Sequence, residues 1–144
     1  MLKNRNKSTF DNNQNEKQLD KILSFFKERN SNVIVVIIGH SGSGKTLLAK
    51  RALNDAKFIN PCEFKMNKYF FHHYSHSDII IDDICLFDIS NVLECVLDSL
   101  AAGRKVILTG FPVDILLYQK LLLNLPKEIS PLFIKLAGGN SFYL

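Results

Sequence analysis

No apolar run in this 144-residue chain approaches the roughly 18 to 20 residues needed to cross a bilayer. The longest, Val33 to Ile38, is cut off by Gly39 and His40, which excludes a membrane span. Cysteine is scarce: Cys62, Cys85 and Cys95 show no C-x-x-C spacing, which argues against a disulfide framework or a zinc knuckle. A secretory leader is missing too. Met1 to Lys7 is basic but runs into Asn and Gln with no apolar stretch or small-residue cleavage site, so the expected location is cytoplasmic. Guanine-binding proteins carry an N-K-x-D motif, and none is present. After residue 46 only Arg51 and Arg104 are arginines, few for gripping a second phosphorylated substrate.

What is present suits one globular domain with a core: 47% of residues are hydrophobic and 22% charged, and the length leaves no room for two domains. The net charge of +4 is concentrated at the start, where residues 1–32 hold seven Lys/Arg against four Asp/Glu. That imbalance fits a solvated tail better than a nucleic-acid surface. Residues 4–18 are rich in Asn, Lys and Gln and cannot bury enough surface to offset ordering entropy. We therefore expect a flexible basic arm over 1–18 and a single domain over 19–144. Leu19, Ile22, Leu23 and Phe26 then recur at helical spacing, predicting a short amphipathic helix that ends near Asn30 and Ser31.

Val33 to Ile38 is β-branched without alternation, the pattern of a strand buried on both faces of a parallel sheet. Further buried strands are predicted at Asp78 to Asp83, Lys105 to Thr109 and Leu132 to Leu136. Helical stretches fall at Leu47 to Leu53, Ile89 to Leu100 and Asp114 to Leu123. This alternation predicts an α/β fold, a three-layer α/β/α sandwich with a mostly parallel sheet. No internal repeat is visible.

The strongest motif is Gly39-His40-Ser41-Gly42-Ser43-Gly44-Lys45-Thr46, which matches G-x-x-x-x-G-K-[ST] between a strand and a helix. Glycines 39, 42 and 44 let the backbone wrap phosphate oxygens, and successive N–H groups at a helix N-terminus point at them. Lys45 brings a compact charge to the β- and γ-phosphates, and Thr46 offers a hydroxyl to Mg²⁺. All eight residues are candidate nucleotide-binding positions.

Ile79-Ile80-Ile81-Asp82-Asp83 delivers two carboxylates to the same sheet edge and resembles the Walker B element. By that resemblance Asp82 holds Mg²⁺ directly or through water, and Asp83 orients the attacking water near the γ-phosphate. A helix-capping pair is the structural alternative. Thr109 ends the next strand on the same edge and is a candidate γ-phosphate sensor, or simply a strand-ending residue. The candidate catalytic set is thus Lys45, Asp83 and Thr109, with Thr46 and Asp82 as metal ligands.

Together these residues resemble the nucleotide-binding core of the ASCE branch of P-loop NTPases, which includes AAA+ ATPases. Within that group the Asp-Asp pair, the short spacing from Lys45 to Asp82 and the Thr109/Pro112 arrangement are most similar to DnaA/Hda-type replication-initiation proteins. The similarity covers about residues 31–136. It implies ATP and Mg²⁺ as cofactors and a role in replication or its control through another replication protein or self-association, with possible DNA contact. The chain departs from that family in two ways: no helical lid follows before Leu144, and Ser130-Pro131 stands where a Ser-Arg pair is usual. Slow or partner-dependent hydrolysis is therefore expected. The other readings are a viral or plasmid Rep-type helicase or DNA-packaging ATPase, a small nucleotide or metabolite kinase, and a non-hydrolysing regulatory module.

His72, His73 and His76 suggest a metal site only if they converge, and no carboxylate or cysteine nearby completes a set. Tyr69 to Tyr74 with Lys65 and Lys68 has the ring-and-charge mixture that stacks single-stranded bases, although packing of the rings on the domain is the favoured reading. Cys85 reads as a buried small hydrophobe.

Overall fold

The computed structural model describes the backbone of residues 2–59 and 77–137, and the side chains of 15–59 and 77–137. Helix and strand alternate along it: α1 (Leu2–Glu28), β1 (Ile34–Ile38), α2 (Lys45–Ala52), β2 (Lys57–Ile59), β3 (Ile79–Ile81), α3 (Ile89–Ala101), β4 (Val106–Gly110), α4 (Ile115–Asn124) and β5 (Leu132–Lys135). The five described strands form one sheet in the order β2-β3-β4-β1-β5, and every pairing is parallel. This is the expected α/β sandwich. Strand β1, flanked by β4 and β5, is buried along its whole length, as a strand covered on both faces must be.

Alternation along the strands divides the core into two layers. Ile34, Val36, Ile79, Ile81, Val106 and Leu108 face one way and pack on Val92, Cys95, Val96 and Leu100 of α3 and Tyr118 and Leu121 of α4. Val35, Ile37, Ile80, Ile107 and Ile134 face the other way onto Leu19 and Ile22 of α1 and Leu48, Ala49 and Ala52 of α2. A one-residue slip of any central strand would exchange these two sets. Asp88 fixes the start of α3 by accepting from the Ser90 amide at 2.9 Å, and Gly103 in the left-handed region follows its end, as helix termini favour.

Two elements differ from the sequence reading. Helix α1 begins at Leu2 rather than near Leu19, so residues 2–18, expected as a flexible arm, follow a helical course. A turn anchored in the core by Ile22 supplies the costly nucleus, and each residue added toward the N-terminus then needs only propagation. Asn15 and Glu16 also have partners on the loop before α2 and on α2 itself. Strand β2 went unread because it is a three-residue edge strand with Lys57 exposed at its start.

All these strands point their carboxyl ends at one edge. Ile37 and Ile38 of β1 lie opposite Thr109 and Gly110 of β4, while Ile81 of β3 lies opposite Leu108, which brings the residues after β1 and β3 beside Thr109.

Ile22 has no solvent exposure whereas Leu23 stands at 36%, so Ile22→Ala is expected to cost about 2–5 kcal/mol and Leu23→Ala much less. Urea unfolding midpoints check this; equal, small losses would mean that α1 is not part of the core.

Candidate functional site: a glycine loop and two carboxylates at one sheet edge

The loop after β1 is built by close approaches. The Gly39 amide donates to the Gly110 carbonyl at 3.1 Å, tying the loop to β4, and the Ser43 amide donates to the His40 carbonyl at 3.1 Å. A Cβ on Gly39 would sit 2.3 Å from Ser43 Oγ, so any larger residue must displace that side chain. Gly42 and Gly44 have φ of 81° and 91°, a region that L side chains rarely adopt. Helix α2 starts directly after Gly44 with no side chain capping it, which leaves the first-turn N–H groups facing an open cavity of about 390 Å³ lined by Gly42, Gly44, Lys45, Thr46, Leu47 and Lys50. Such an end attracts anions through its oriented amides and its partial positive charge.

The carboxylates meet this loop through a hydrogen-bond chain. Thr46 Oγ1 donates to Asp82 Oδ1 at 2.9 Å, and Thr109 Oγ1 donates to the same oxygen at 2.7 Å. Thr109 Oγ1 in turn accepts from the Asp83 amide at 2.9 Å. Its side chain has no solvent exposure, so the hydroxyl is committed to the two aspartates and not to the cavity. Asp83 takes a left-handed backbone conformation, φ 51°, unusual outside glycine but tolerated by Asp, and the Thr109 contact holds it there. The chain then turns through a short 3₁₀ segment, Ile84–Leu86.

Lys45, 7% exposed, reaches back toward Asp83, with Nζ 3.7 Å from Oδ1, and lies 4.1 Å from the centroid of the Phe111 ring. Asp83 Oδ1 and Ser43 Oγ are buried without a hydrogen-bond partner among the described residues. Loss of solvent around Asp83, helped by the negative charge of Asp82, pushes its carboxyl above the usual carboxylate range. Asp83 is thus an under-satisfied, partly desolvated carboxylate beside the glycine loop.

The structure therefore gathers Gly39, Gly42, Ser43, Gly44, Lys45, Thr46, Asp82, Asp83 and Thr109 at one place. Ser41 is exposed on the outer side of the loop. The side chain of His40 instead lines a separate cavity of about 200 Å³ with Pro112, Tyr118 and Lys135. A glycine cradle that a Cβ would fill, and two hard oxygen ligands 2.9 Å apart on Thr46 and Asp82, suit a nucleotide's phosphates and Mg²⁺. Among the described residues no group of three His, Cys, Asp or Glu could hold a metal ion by itself. The histidine cluster at 72–76, the rings at 69–74, Lys65, Lys68 and Cys62 lie outside the described residues. Cys85 is partly exposed rather than buried, because it sits on the short turn after Asp83.

Sequence reasoning missed Phe111, Tyr118 and Asn15. The first two lie beyond a Gly-Phe-Pro strand stop that carries no motif. Asn15 Nδ2, 3.5 Å from the Ser43 carbonyl, sits in the stretch expected to be an arm.

No family model matches the chain, and no curated protein matches it. Among solved structures it is similar to a Signal Transduction ATPase with Numerous Domains (STAND) protein with a tetratricopeptide repeat sensor from Pyrococcus horikoshii, at 18% identity and a TM-score of 0.48. The match covers 87% of this chain and 23% of that one, so this chain spans less than a quarter of that protein's length. No described helix is long and apolar enough to cross a membrane.

Thr109→Val keeps the shape but removes both the donor to Asp82 and the acceptor for the Asp83 amide, so it is expected to cost about 1–3 kcal/mol by urea unfolding; an unchanged midpoint would show the hydroxyl to be dispensable. For Asp83, the folded-state pKa lies above the unfolded 3.8. Stability contributed by its neutral form is present below that value and is lost as pH rises through the folded pKa. Asp83→Asn removes this loss, so its unfolding midpoint should gain on wild type as pH rises above the unfolded-state value of 3.8, and a constant difference would contradict the shift.

Proposed function

We propose that the chain is a P-loop ATPase that binds ATP with Mg²⁺ at the carboxyl edge of its sheet and hydrolyses it slowly or under the control of a partner. The observation that carries this reading is the Thr46–Asp82–Thr109 chain of hydrogen bonds. It joins the phosphate-type loop, the carboxylate strand and the strand between them into one site, with Asp83 Oδ1 beside it accepting no hydrogen bond among the described residues.

In this reading the amides of Gly42 to Thr46 and the Lys45 ammonium grip the β- and γ-phosphates. Thr46 and Asp82 would hold the cation, which would supply charge neutralisation to the phosphates. Asp83 accepts a hydrogen bond from water and aligns it for in-line attack on the γ-phosphorus. The oxygen of that water bonds to phosphorus, the bond to the β-phosphate oxygen breaks, and the water's proton passes toward Asp83, whose raised pKa favours receiving it. Thr109 takes no part in the attack itself; it sets the position of both aspartates. The motif resemblance to DnaA/Hda-type proteins extends the reading to replication initiation through a protein partner. DNA-stimulated turnover would instead favour the helicase or motor reading.

Lys45→Ala is expected to weaken Mg-ATP binding roughly thirtyfold or more in a protein that still unfolds cooperatively, as read by calorimetric titration; unchanged affinity would remove the phosphate-site assignment. Asp83→Asn should retain Mg-ATP binding while phosphate release falls about 10²–10⁴-fold, and turnover at the wild-type rate would make Asp83 purely structural.

A further inference from the structure

Phe111 belongs to no motif, yet three restraints fix where its ring stands. Its amide donates to Asp114 Oδ2 at 3.1 Å, and its carbonyl accepts from the buried Tyr118 hydroxyl at 2.6 Å. Gly110 before it is kept without a side chain, since a Cβ there would come within 2.2 Å of that hydroxyl. The loop between β4 and α4 is thus clamped from both sides, and the clamp presents the ring face to Lys45 Nζ at 4.1 Å.

We propose that Phe111 is a positioning residue for the P-loop lysine: with Asp83 it forms a resting cage for the Lys45 ammonium, which the phosphates of an incoming nucleotide must empty. The proposal rests on the nucleotide reading given above. Its physical basis is that Lys45 is nearly buried and carries three donors, and the nearest carboxylate oxygen stands at 3.7 Å, beyond hydrogen-bond length. A ring face and a distant carboxylate stabilise the charge enough to keep it inside without a ligand, but they leave its donors unspent. A phosphate oxygen offers shorter, charge-assisted bonds, so the ammonium exchanges cage for phosphate. The cage lowers the free energy of the empty site alone and therefore weakens affinity for any phosphate-bearing ligand.

The test uses wild type, Phe111→Leu and Phe111→Tyr. In the free protein the Lys45 Hε protons should resonate upfield through the ring current in wild type and Phe111→Tyr, and at ordinary positions in Phe111→Leu. Adding Mg-ATP to wild type should return them toward ordinary positions. By calorimetry Phe111→Leu should bind Mg-ATP and Mg-ADP about threefold to tenfold more tightly than wild type, Phe111→Tyr should stay close to wild type, and adenosine, which has no phosphate, should show no such gain. Ordinary Lys45 shifts in free wild type, or Phe111→Leu binding Mg-ATP no more tightly, would overturn the inference while leaving the nucleotide site standing. Failure of wild type to bind Mg-ATP at all would remove the nucleotide reading and the cage's role together.

Discussion

The site depends on one hydroxyl. Thr109 Oγ1 gives its proton to Asp82 and receives the amide proton of Asp83, so a single buried atom fixes a carboxylate and the backbone beside it. Without it, Asp82 would keep only the Thr46 hydroxyl among these two threonine contacts, and the left-handed Asp83 would lose the bond that holds its amide. The hydroxyl can serve both because β4 lies between β1 and β3. A sheet order that separated β4 from β1 or from β3 would take the glycine loop or the carboxylates out of its reach.

Charge is the second constraint. The site holds Lys45, Asp82 and Asp83 in a region of low exposure, where an unpaired charge is costly. The chain does not close all of that cost with internal hydrogen bonds: Asp83 Oδ1 accepts none among the described residues and meets Lys45 Nζ only at 3.7 Å, while Lys45 also rests against a ring face. Those incomplete contacts separate this arrangement from a structural ion pair, because they leave capacity for a ligand at the open end of α2. Asn15, reaching from α1 to the Ser43 carbonyl, places the N-terminal helix directly behind the loop.

Much of this was legible in the residues. The β-branched runs read at 33–38, 78–83 and 105–109 contain the buried strands observed at 34–38, 79–81 and 106–110 to within a few residues, because burial on both faces of a parallel sheet removes alternation, and the loop at 39–46 was visible because a close approach at 39 and left-handed turns at 42 and 44 favour glycine. The two aspartates followed from their place at a strand end. Other features depend on tertiary packing. The helical course of 2–18 comes from anchoring at Ile22, not from the polar composition of that stretch; β2 is too short to show a period; and Phe111 acquires its place through Tyr118 and Asp114, which no local pattern links to Lys45. Thr109 lies at the sheet edge where the sequence placed it, but its total burial and its hydroxyl bonds to Asp82 and Asp83 are set by tertiary packing that no local pattern shows.

The most direct measurement is an amide-resolved NMR titration of the ¹⁵N-labelled protein with Mg-ATP. The account predicts that the largest shifts fall on the amides of Gly42 to Leu47, with smaller ones at Asp82, Asp83 and Phe111, and that adenosine alone does not reproduce them. Shifts centred elsewhere on the molecule, or none at millimolar ligand, would contradict it.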